Sequence, residues 1–367
     1  MSVRDYDVVF VGGGLAAALL LEELREDLPE RVAVVDPSPL PTHPSVHWSY
    51  WSHEPTPFDR FATNEWRRAR VGGMPPESIS PYTMRLVRSD DVFADVAARL
   101  ESTPLDWLRT PARSIRNDDG AYEISTDAGV LRARWVFDSA CEVGPTFPTP
   151  HRPAAVLSGT GIRVTSDRPV FDKETVTLFD PLDDRSFAYL LPLGPDKALL
   201  ESATFGPAAE ETDAAPLLRY LETRHPKTGF ITTHAESGTI PLGFPPPRTA
   251  GPRHVLLGTK RGLVKPSAGY GIVSIARESE ELASLWRKGL PMPQSRQKSQ
   301  PWTFLDTGFL RLVEKEPRLP LELLGKVMND VPLVRSLGFI DEQLSTGQLA
   351  SIFFSALPVM LRSAVGK

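Results

Sequence analysis

The stretch Asp7-Val8-Val9-Phe10-Val11-Gly12-Gly13-Gly14-Leu15-Ala16-Ala17-Ala18-Leu19-Leu20-Leu21 decides how the rest of the chain is read. Asp5 to Val11 is largely β-branched and apolar, the pattern of a strand buried in a parallel sheet. Gly12, Gly14 and Ala17 fit G-x-G-x-x-G/A, and Ala16 to Arg25 reads as a helix with small residues in its first turn. The spacing has a physical reason. Gly12 permits a tight turn, Gly14 has no Cβ to hold a pyrophosphate off the backbone, and Ala17 lets helix and strand pack closely. Phosphates would then meet the positive helix N-terminus around Leu15 and Ala16. A second strand, Arg31 to Val35, ends at Asp36, 22 positions after Gly14. A carboxylate there can accept hydrogen bonds from both ribose hydroxyls of an adenosine.

Length and composition limit what such a unit can belong to. A chain of 367 residues suits one large or two ordinary domains. Hydrophobic content of 41% and charge of 24% are those of a globular protein, and a net charge of -5 argues against nucleic acid as a partner. The single cysteine, Cys141, excludes an internal disulfide and a multi-cysteine metal site. The motif starts a few residues after Met1, and no apolar run reaches the length of a membrane span, so a cytoplasmic protein is expected.

After Asp36 comes a segment rich in proline and aromatic residues, with His43, His47, Trp48, Tyr50, Trp51, His53 and Phe58. With no helical pattern and no carboxylate pair nearby, its histidines are not expected to bind metal. An aromatic loop covering a flat cofactor or an apolar substrate is expected instead. Ser89 to Leu100 reads as a helix capped by Ser89 or Asp90. Short strands follow at Ala112 to Arg116, Ala121 to Thr126 and Val130 to Arg134, and Trp135 to Ala140 is a further buried strand returning to the first sheet. From Gly161 the chain turns β-rich, through Gly161 to Val164, Val176 to Phe179, Ser186 to Pro192, Ala198 to Phe205 and Glu236 to Pro241, with a helix from Pro216 to His225. This predicts an antiparallel second layer in which Asp180, Glu201 and Glu236 sit unusually close to apolar runs. His254 to Gly258 is another strand, and a glycine-punctuated loop then opens a helix from Ile272 to Trp286, a second potential anion site. The remainder, Phe304 to Ser363, reads as helical. Its most apolar stretch, Ser351 to Leu361, is expected to pack as a terminal helix or to touch lipid at a membrane surface.

Four stretches carry a resemblance to the flavin-dependent lycopene cyclases, especially the bacterial lycopene β-cyclases. They are Val11-Gly12-Gly13-Gly14-Leu15-Ala16; His47-Trp48-Ser49-Tyr50; Phe187-Ala188-Tyr189-Leu190-Leu191-Pro192-Leu193 with Ala198-Leu199-Leu200-Glu201-Ser202-Ala203-Thr204-Phe205; and Glu236-Ser237-Gly238-Thr239-Ile240-Pro241 with the loop from Gly258 to Gly271. The third resembles F-x-Y-x-L-P-L and an acidic L-x-E-x-T motif, and the fourth resembles E-x-G-x-(I/L)-P and a P-(S/T)-x-G-Y flavin loop. Ala203 stands where the family has threonine, and Asp138-Ser139-Ala140-Cys141 carries no arginine where similar cyclases read D-x-R. The resemblance implies an α/β (α+β) flavoprotein in three regions. A discontinuous Rossmann-type FAD-binding domain takes 1–160 and 250–290, an antiparallel-sheet substrate domain takes 161–249, and a helical C-terminal region takes 291–367.

It also implies FAD, active in its reduced form with NADPH or another reductant as electron source. Gly12, Gly14, Leu15, Ala16 and Asp36 would lie on its ADP half, with Trp48, Gly269, Tyr270 and Gly271 toward the flavin. The implied reaction is a non-redox ring closure on a long apolar polyene, with peripheral membrane contact and a place in carotenoid biosynthesis. A proton adds to a terminal double bond, a six-membered ring closes on the carbocation, and a proton leaves. Glu201 is the expected acid, because desolvation keeps a buried carboxyl protonated at neutral pH. Glu236 is expected as its partner or base. Tyr189, Trp48 and Tyr50 could offer ring faces to the cation. Two other readings use the same fold or part of it: a monooxygenase or halogenase, and a non-catalytic flavin or lipid carrier. Against the monooxygenase or halogenase reading, Gly258-Thr259 stands where hydroxylases read Gly-Asp, and the halogenase W-x-W-x-I-P is missing.

Overall fold

The computed structural model describes residues 3–38, 40, 45–141, 153–243, 251–294, 296 and 298–365. In chain order the elements are β1 (Val3–Val11), α1 (Leu15–Leu24), β2 (Val32–Val35), β3 (His47–Ser52), β4 (Asn64–Trp66), β5 (Arg68–Val71), β6 (Glu77–Ser78), β7 (Thr83–Arg88), α2 (Ser89–Leu100), β8 (Leu105–Leu108), β9 (Ala112–Asp118), β10 (Ala121–Thr126) and β11 (Gly129–Asp138). There follow β12 (Ala155–Ser166), β13 (Thr175–Pro181), β14 (Ser186–Pro192), β15 (Lys197–Gly206), α3 (Ala215–Arg224), β16 (Phe230–Leu242), β17 (His254–Leu256), α4 (Ile272–Arg287), α5 (Gln300–Lys315), α6 (Leu319–Asp330), α7 (Leu333–Ile340) and α8 (Thr346–Val365).

The opening stretch forms the strand and helix that its pattern predicts. β1 sits inside a parallel layer, with Val8 to Val11 paired to Val32 to Val35 on one side and to Trp135 to Asp138 on the other. Val8, Val9 and Phe10 have no exposed surface, as a strand covered on both faces requires. The sheet runs β8-β2-β1-β11-β10-β9, and β17 pairs beside β10 on the far edge of β11. α1 packs against α4, with Ala17, Ala18, Leu20 and Leu21 fully buried.

The second sheet runs β16-β12-β15-β14-β13-β5-β6 and is antiparallel except where β13 meets β5. The expected strands are present, most of them longer than predicted. β5 and β6 join this sheet although they come before residue 161 in the chain. Ile162, Val164, Leu190, Ala198 and Leu200 point to one face, which α3 closes with Leu217 and Leu221. The other face looks into the molecule and carries the residues described below.

Two local expectations are corrected. The segment from His47 to Ser52 is a strand, not a loop. Its register with Thr83 to Arg88 buries Tyr50 and Trp51, and aromatic residues favour such a pleated surface once a partner strand exists. His43 lies outside the described residues. α2 begins at Ser89 without a side-chain cap, because Ser89 Oγ accepts the N–H of Val46 (2.9 Å) and so ties α2 to the start of β3. Among the described residues no helix is long and apolar enough to cross a membrane.

Candidate active site

At the C-terminal end of β1, Gly12 has φ +89°, and a Cβ there would lie 2.7 Å from Ser139 Oγ and 2.9 Å from the Ala140 nitrogen. Only glycine fits that turn. A Cβ at Gly14 would meet nothing within 4 Å, so the backbone is open to a ligand where the pyrophosphate of a dinucleotide would approach. Gly14 is the N-cap of α1, and the first N–H groups of a helix have no partner inside it. Asp36 directly follows β2 and accepts the N–H of Gly13 (2.6 Å) and of Ser38 (2.6 Å), which fixes its carboxylate beside the glycine turn with lone pairs to spare for hydroxyls. A Cβ-free cradle, a helix N-terminus and an oriented acid fit the ADP half of FAD. Where similar cyclases read D-x-R, Asp138 finds its cation elsewhere: Lys260 lies at 2.6 Å and His254 at 3.1 Å. Burial pushes this carboxyl up, but the lysine and histidine outweigh it and hold it below the usual range.

A cavity of about 490 Å³ lies between the inner face of the second sheet, β3, the start of α1, the loop before α4, and α6 and α7. Leu15, Trp48, Gly269, Tyr270 and Gly271 line it, together with Glu201 and Glu236. Gly12, Gly14, Ala16 and Asp36 are not among the lining residues. Tyr270 stacks on Trp51 with ring centroids 4.4 Å apart and donates its hydroxyl to the Trp51 carbonyl at 2.7 Å. Gly269 has φ +67°, and a Cβ there would strike Leu157 Cδ2 at 2.6 Å, so the loop rides directly on β12.

The two acids meet because of strand register. Glu201 on β15 and Glu236 on β16 both lie opposite Gly161 on the strand between them, and Tyr189 on β14 lies opposite Glu201. Directly paired residues share a face, so Tyr189, Glu201, Gly161 and Glu236 form one row across four strands. A Cβ at Gly161 would come within 3.0 Å of Glu236 Cγ and 3.3 Å of Glu201 Cγ. Glycine here clears the space in which the carboxyls approach.

Their environments push the pair apart. Burial raises Glu201 first of all. The Tyr189 hydroxyl, hydrogen-bonded to it, pulls the other way, while the charge of Glu236 and a hydrogen bond between the two carboxyls raise it again, to about 8. Burial also acts on Glu236, but hydrogen bonds from His47 and His234 outweigh it and hold the group below its usual value. The His47 main-chain N–H lies 3.2 Å from each carboxylate oxygen, and His47 Nδ1 lies 3.0 Å from Oε2. His234 Nε2 lies 3.1 Å from the same oxygen. At neutral pH the pair is therefore a neutral acid beside an anion, the separation of roles that acid–base sites use.

The premise that no carboxylate pair lies near the histidines is corrected: Glu236, beside Glu201 on the second sheet, reaches His47 of β3, a strand of a separate sheet. His47, His234 and Glu236 bring three possible metal-ligand atoms within 4.8 Å of one another. The chemistry disfavours a metal. Arg163 Nη2 lies 2.6 Å from His47 Nε2, and a guanidinium has no acceptor, so Nε2 accepts and the ring hydrogen sits on Nδ1, aimed at Glu236. Asp180 stands apart from the site, accepting the Tyr220 hydroxyl (2.8 Å) and pairing with Arg224 (2.5 Å) on α3. Arg163, His234 and Gly161 belong to no site motif in the sequence. Gly159 and Gly161, two apart in a β-rich run, were the available sign, because a strand glycine marks close approach.

Solved structures with a similar fold are distant in sequence. A geranylgeranyl bacteriochlorophyll reductase-like protein from Thermoplasma acidophilum is 16% identical, covering 99% of each chain with TM-score 0.58. The flavin-dependent brominase Bmp2 is 13% identical, covering 98% of this chain and 100% of its own, with TM-score 0.60. The halogenase PltM, solved with phloroglucinol and FAD, is 12% identical, covering 98% and 86%, with TM-score 0.57. The fold is thus that of FAD-binding flavoproteins, a Rossmann-type layer with a second sheet and a helical C-terminal region. No curated protein sequence matches the chain significantly. The sequence profile described as lycopene cyclase protein matches residues 7–364, nearly the whole chain, and the chain belongs to that family.

Proposed function

We propose that the protein is a reduced-FAD-dependent cyclase that protonates one end of a long apolar polyene and closes a six-membered ring, as a lycopene β-cyclase does. Family membership supports a flavin-dependent enzyme. The observation that carries the finer reading is the Glu201–Glu236 pair at the edge of a largely apolar cavity of about 490 Å³. That volume lies in the range of small-ligand sites and suits one end of a polyene.

Gly12, Gly14, Leu15, Ala16 and Asp36 would hold the ADP half of FAD, and Trp48 with Gly269, Tyr270 and Gly271 would border its flavin. Bound in reduced form, FAD supplies negative charge beside a carbocation with no net electron transfer. The protein's own part is proton handling. Burial makes the Glu201 proton available at neutral pH; it does not make it more acidic, so the cost of charging an alkene is met by stabilising the cation. The Glu236 carboxylate and the ring faces of Trp48 and Tyr189 serve that role. Glu201 gives its proton to the terminal double bond, the adjacent double bond closes the ring, the Glu236 carboxylate takes a proton from the ring carbon, and transfer between the two carboxyls restores the starting state. Water is kept from the cation by the apolar walls, Leu15, Leu157, Ile240 and Ile275 among them.

The test is anaerobic reduction of the FAD-loaded protein with NADPH or dithionite in the presence of lycopene, with chromatography of the product. A cyclised product of unchanged mass supports the reading, and an oxygenated or halogenated one overturns it. Glu201→Gln should keep FAD bound and lose turnover by about 10²–10⁴-fold, the range for a general acid. A fully active Glu201→Gln protein removes the role given to Glu201.

A further inference from the structure

We propose that Arg163 and His47 are positioning residues: the guanidinium locks the imidazole in its Nδ1–H tautomer, and that N–H holds Glu236 as the carboxylate that faces Glu201 across Gly161. The functional consequence rests on the cyclase reading, while the protonation states can be measured without it.

Geometry fixes the direction of each hydrogen bond. Arg163 and His234 face each other on β12 and β16, two pairs along from Gly161 and Glu236, so all four share the inner face of the sheet. Arg163 Nη2 can only donate, at 2.6 Å, to His47 Nε2. A neutral imidazole carries one hydrogen, which the arginine therefore confines to Nδ1, 3.0 Å from Glu236 Oε2. The His47 main chain donates to the same carboxylate, so one residue of β3 offers it two N–H groups. Arg163 Nε is buried without a hydrogen-bond partner. Among the described residues no carboxylate comes within ion-pair distance of Arg163, so the nearest anion along its hydrogen bonds is Glu236, across the His47 ring.

The groups that face Glu236 are His47 from β3, Arg163 through His47 from β12, Glu201 from β15, Tyr189 beyond it on β14, and His234 on its own strand. Of these His47 makes the most hydrogen bonds to it. Without its ring donor, Glu236 loses the largest of the contacts that hold its proton affinity down, and its protonated fraction at neutral pH is expected to rise. The pair would then offer less negative charge to the developing cation.

Two measurements test this on the full-length protein. Nitrogen-15 NMR of labelled histidine reads the tautomer. His47, assigned by its loss in His47→Asn, should show a protonated Nδ1 in the wild type, and Arg163→Met should lose that preference. Infrared titration reads the carboxyls, with the bands assigned by Glu201→Gln and Glu236→Gln. At pH 7 the wild type should show a protonated Glu201 and an ionised Glu236. His47→Leu should add the protonated Glu236 band. His47→Asn, whose side-chain amide can donate in place of Nδ1–H, should keep the wild-type spectrum and guards against a folding defect in the leucine variant. A protonated Nε2 on His47 in the wild type, or a fully ionised Glu236 in folded His47→Leu, overturns the proposal. The expected spectra without conversion of lycopene would leave the relay standing and remove the cyclase reading. Conversion of lycopene with unchanged spectra would do the reverse.

Discussion

Two buried polar clusters in this molecule treat charge in opposite ways. One is the row Tyr189, Glu201, Gly161 and Glu236 at the cavity. The other lies where the loop before α4 meets the helical layer. There Lys265, with 2% of its surface exposed, bonds Asp306 at 2.6 Å and Glu342 at 3.5 Å, while Lys298 bridges the same two acids and Arg296 pairs with Glu342. Trp302 and Phe339 present their rings to the Lys265 ammonium at 4.8 and 4.4 Å. In the second cluster every acid has a cation in contact, and burial of Glu342 is outweighed so that it sits below its usual range. In the first, two acids share one remote cation, and one of them keeps its proton. Balanced charge holds elements together, whereas an excess of acid produces the perturbed proton affinity that chemistry uses.

The comparison breaks most visibly at Lys265. Lys265→Met leaves Asp306 and Glu342 with Lys298 and Arg296 but removes the most buried cation and both ring contacts. Breaking a buried pair costs about 3–5 kcal/mol. A fall of that size in unfolding free energy, read from denaturant titration, is expected. A loss under about 1 kcal/mol would mean that Lys298 and Arg296 satisfy both acids and the cluster is redundant.

Glu201→Gln should have the opposite sign. The folded protein holds the Glu201 proton up to about pH 8, whereas an unfolded glutamate releases it near 4.5. A group whose folded value is raised contributes full stability below pH 4.5 and loses it as pH climbs through the window to about 8. Glutamine does not ionise, so the variant should gain on the wild type across that window, by up to about 5 kcal/mol for a shift of that size. Unfolding midpoints at pH 5 and pH 9 check this. Parallel curves for the two proteins would show that Glu201 ionises freely in the folded state.

Gly161→Ala tests the register itself. Its Cβ would press on Glu236 and Glu201, and Glu236 is pinned to β3. Overpacking costs about 1–3 kcal/mol, offset by about 0.4–1 kcal/mol from the lost freedom of glycine in the unfolded chain. A net cost of about 1 kcal/mol is expected. Spreading the carboxyls also weakens the repulsion that raises Glu201, so the alkaline limb of turnover should move below about 8. An unmoved limb would mean that burial alone holds the proton.

What could be read in advance follows from how local each feature is. Gly12, Gly14 and Asp36 belong to one strand–turn–helix–strand unit whose geometry is written within a few dozen residues. Glu201 and Glu236 were legible through family-like motifs, but their meeting was not, because it depends on a third strand supplying a residue without a side chain between them. His47 looked like part of a loop because its carboxylate lies 189 positions away and its partner strand β7 has no strong pattern of its own. Arg163 and His234 stand in no motif, and His234 lies before the strand predicted from Glu236. Asp180 drew notice for the right reason, an acid in an apolar run, yet its partners are Tyr220 and Arg224 of the covering helix, and sequence does not say which face a strand acid takes.

The smallest and most discriminating change is Tyr189→Phe. The ring, half-buried at the cavity edge, would stay; only the hydroxyl that faces Glu201 is lost. A neutral hydrogen bond contributes about 0.5–1.5 kcal/mol, so the stability change should be close to 1 kcal/mol. The sign of the pH effect carries more information. The hydroxyl lowers the proton affinity of Glu201, which means that it donates and favours the ionised carboxylate. Without it Glu201 holds its proton more tightly, and the alkaline limb of turnover should move above about 8. Glu236 acts in the opposite sense, so the two neighbours of Glu201 should shift the same limb in opposite directions when each is altered. A limb that falls in Tyr189→Phe would show the hydroxyl accepting the Glu201 proton instead of donating to it. The proton would then lie toward β14 and away from Glu236, and the row would run in the reverse direction.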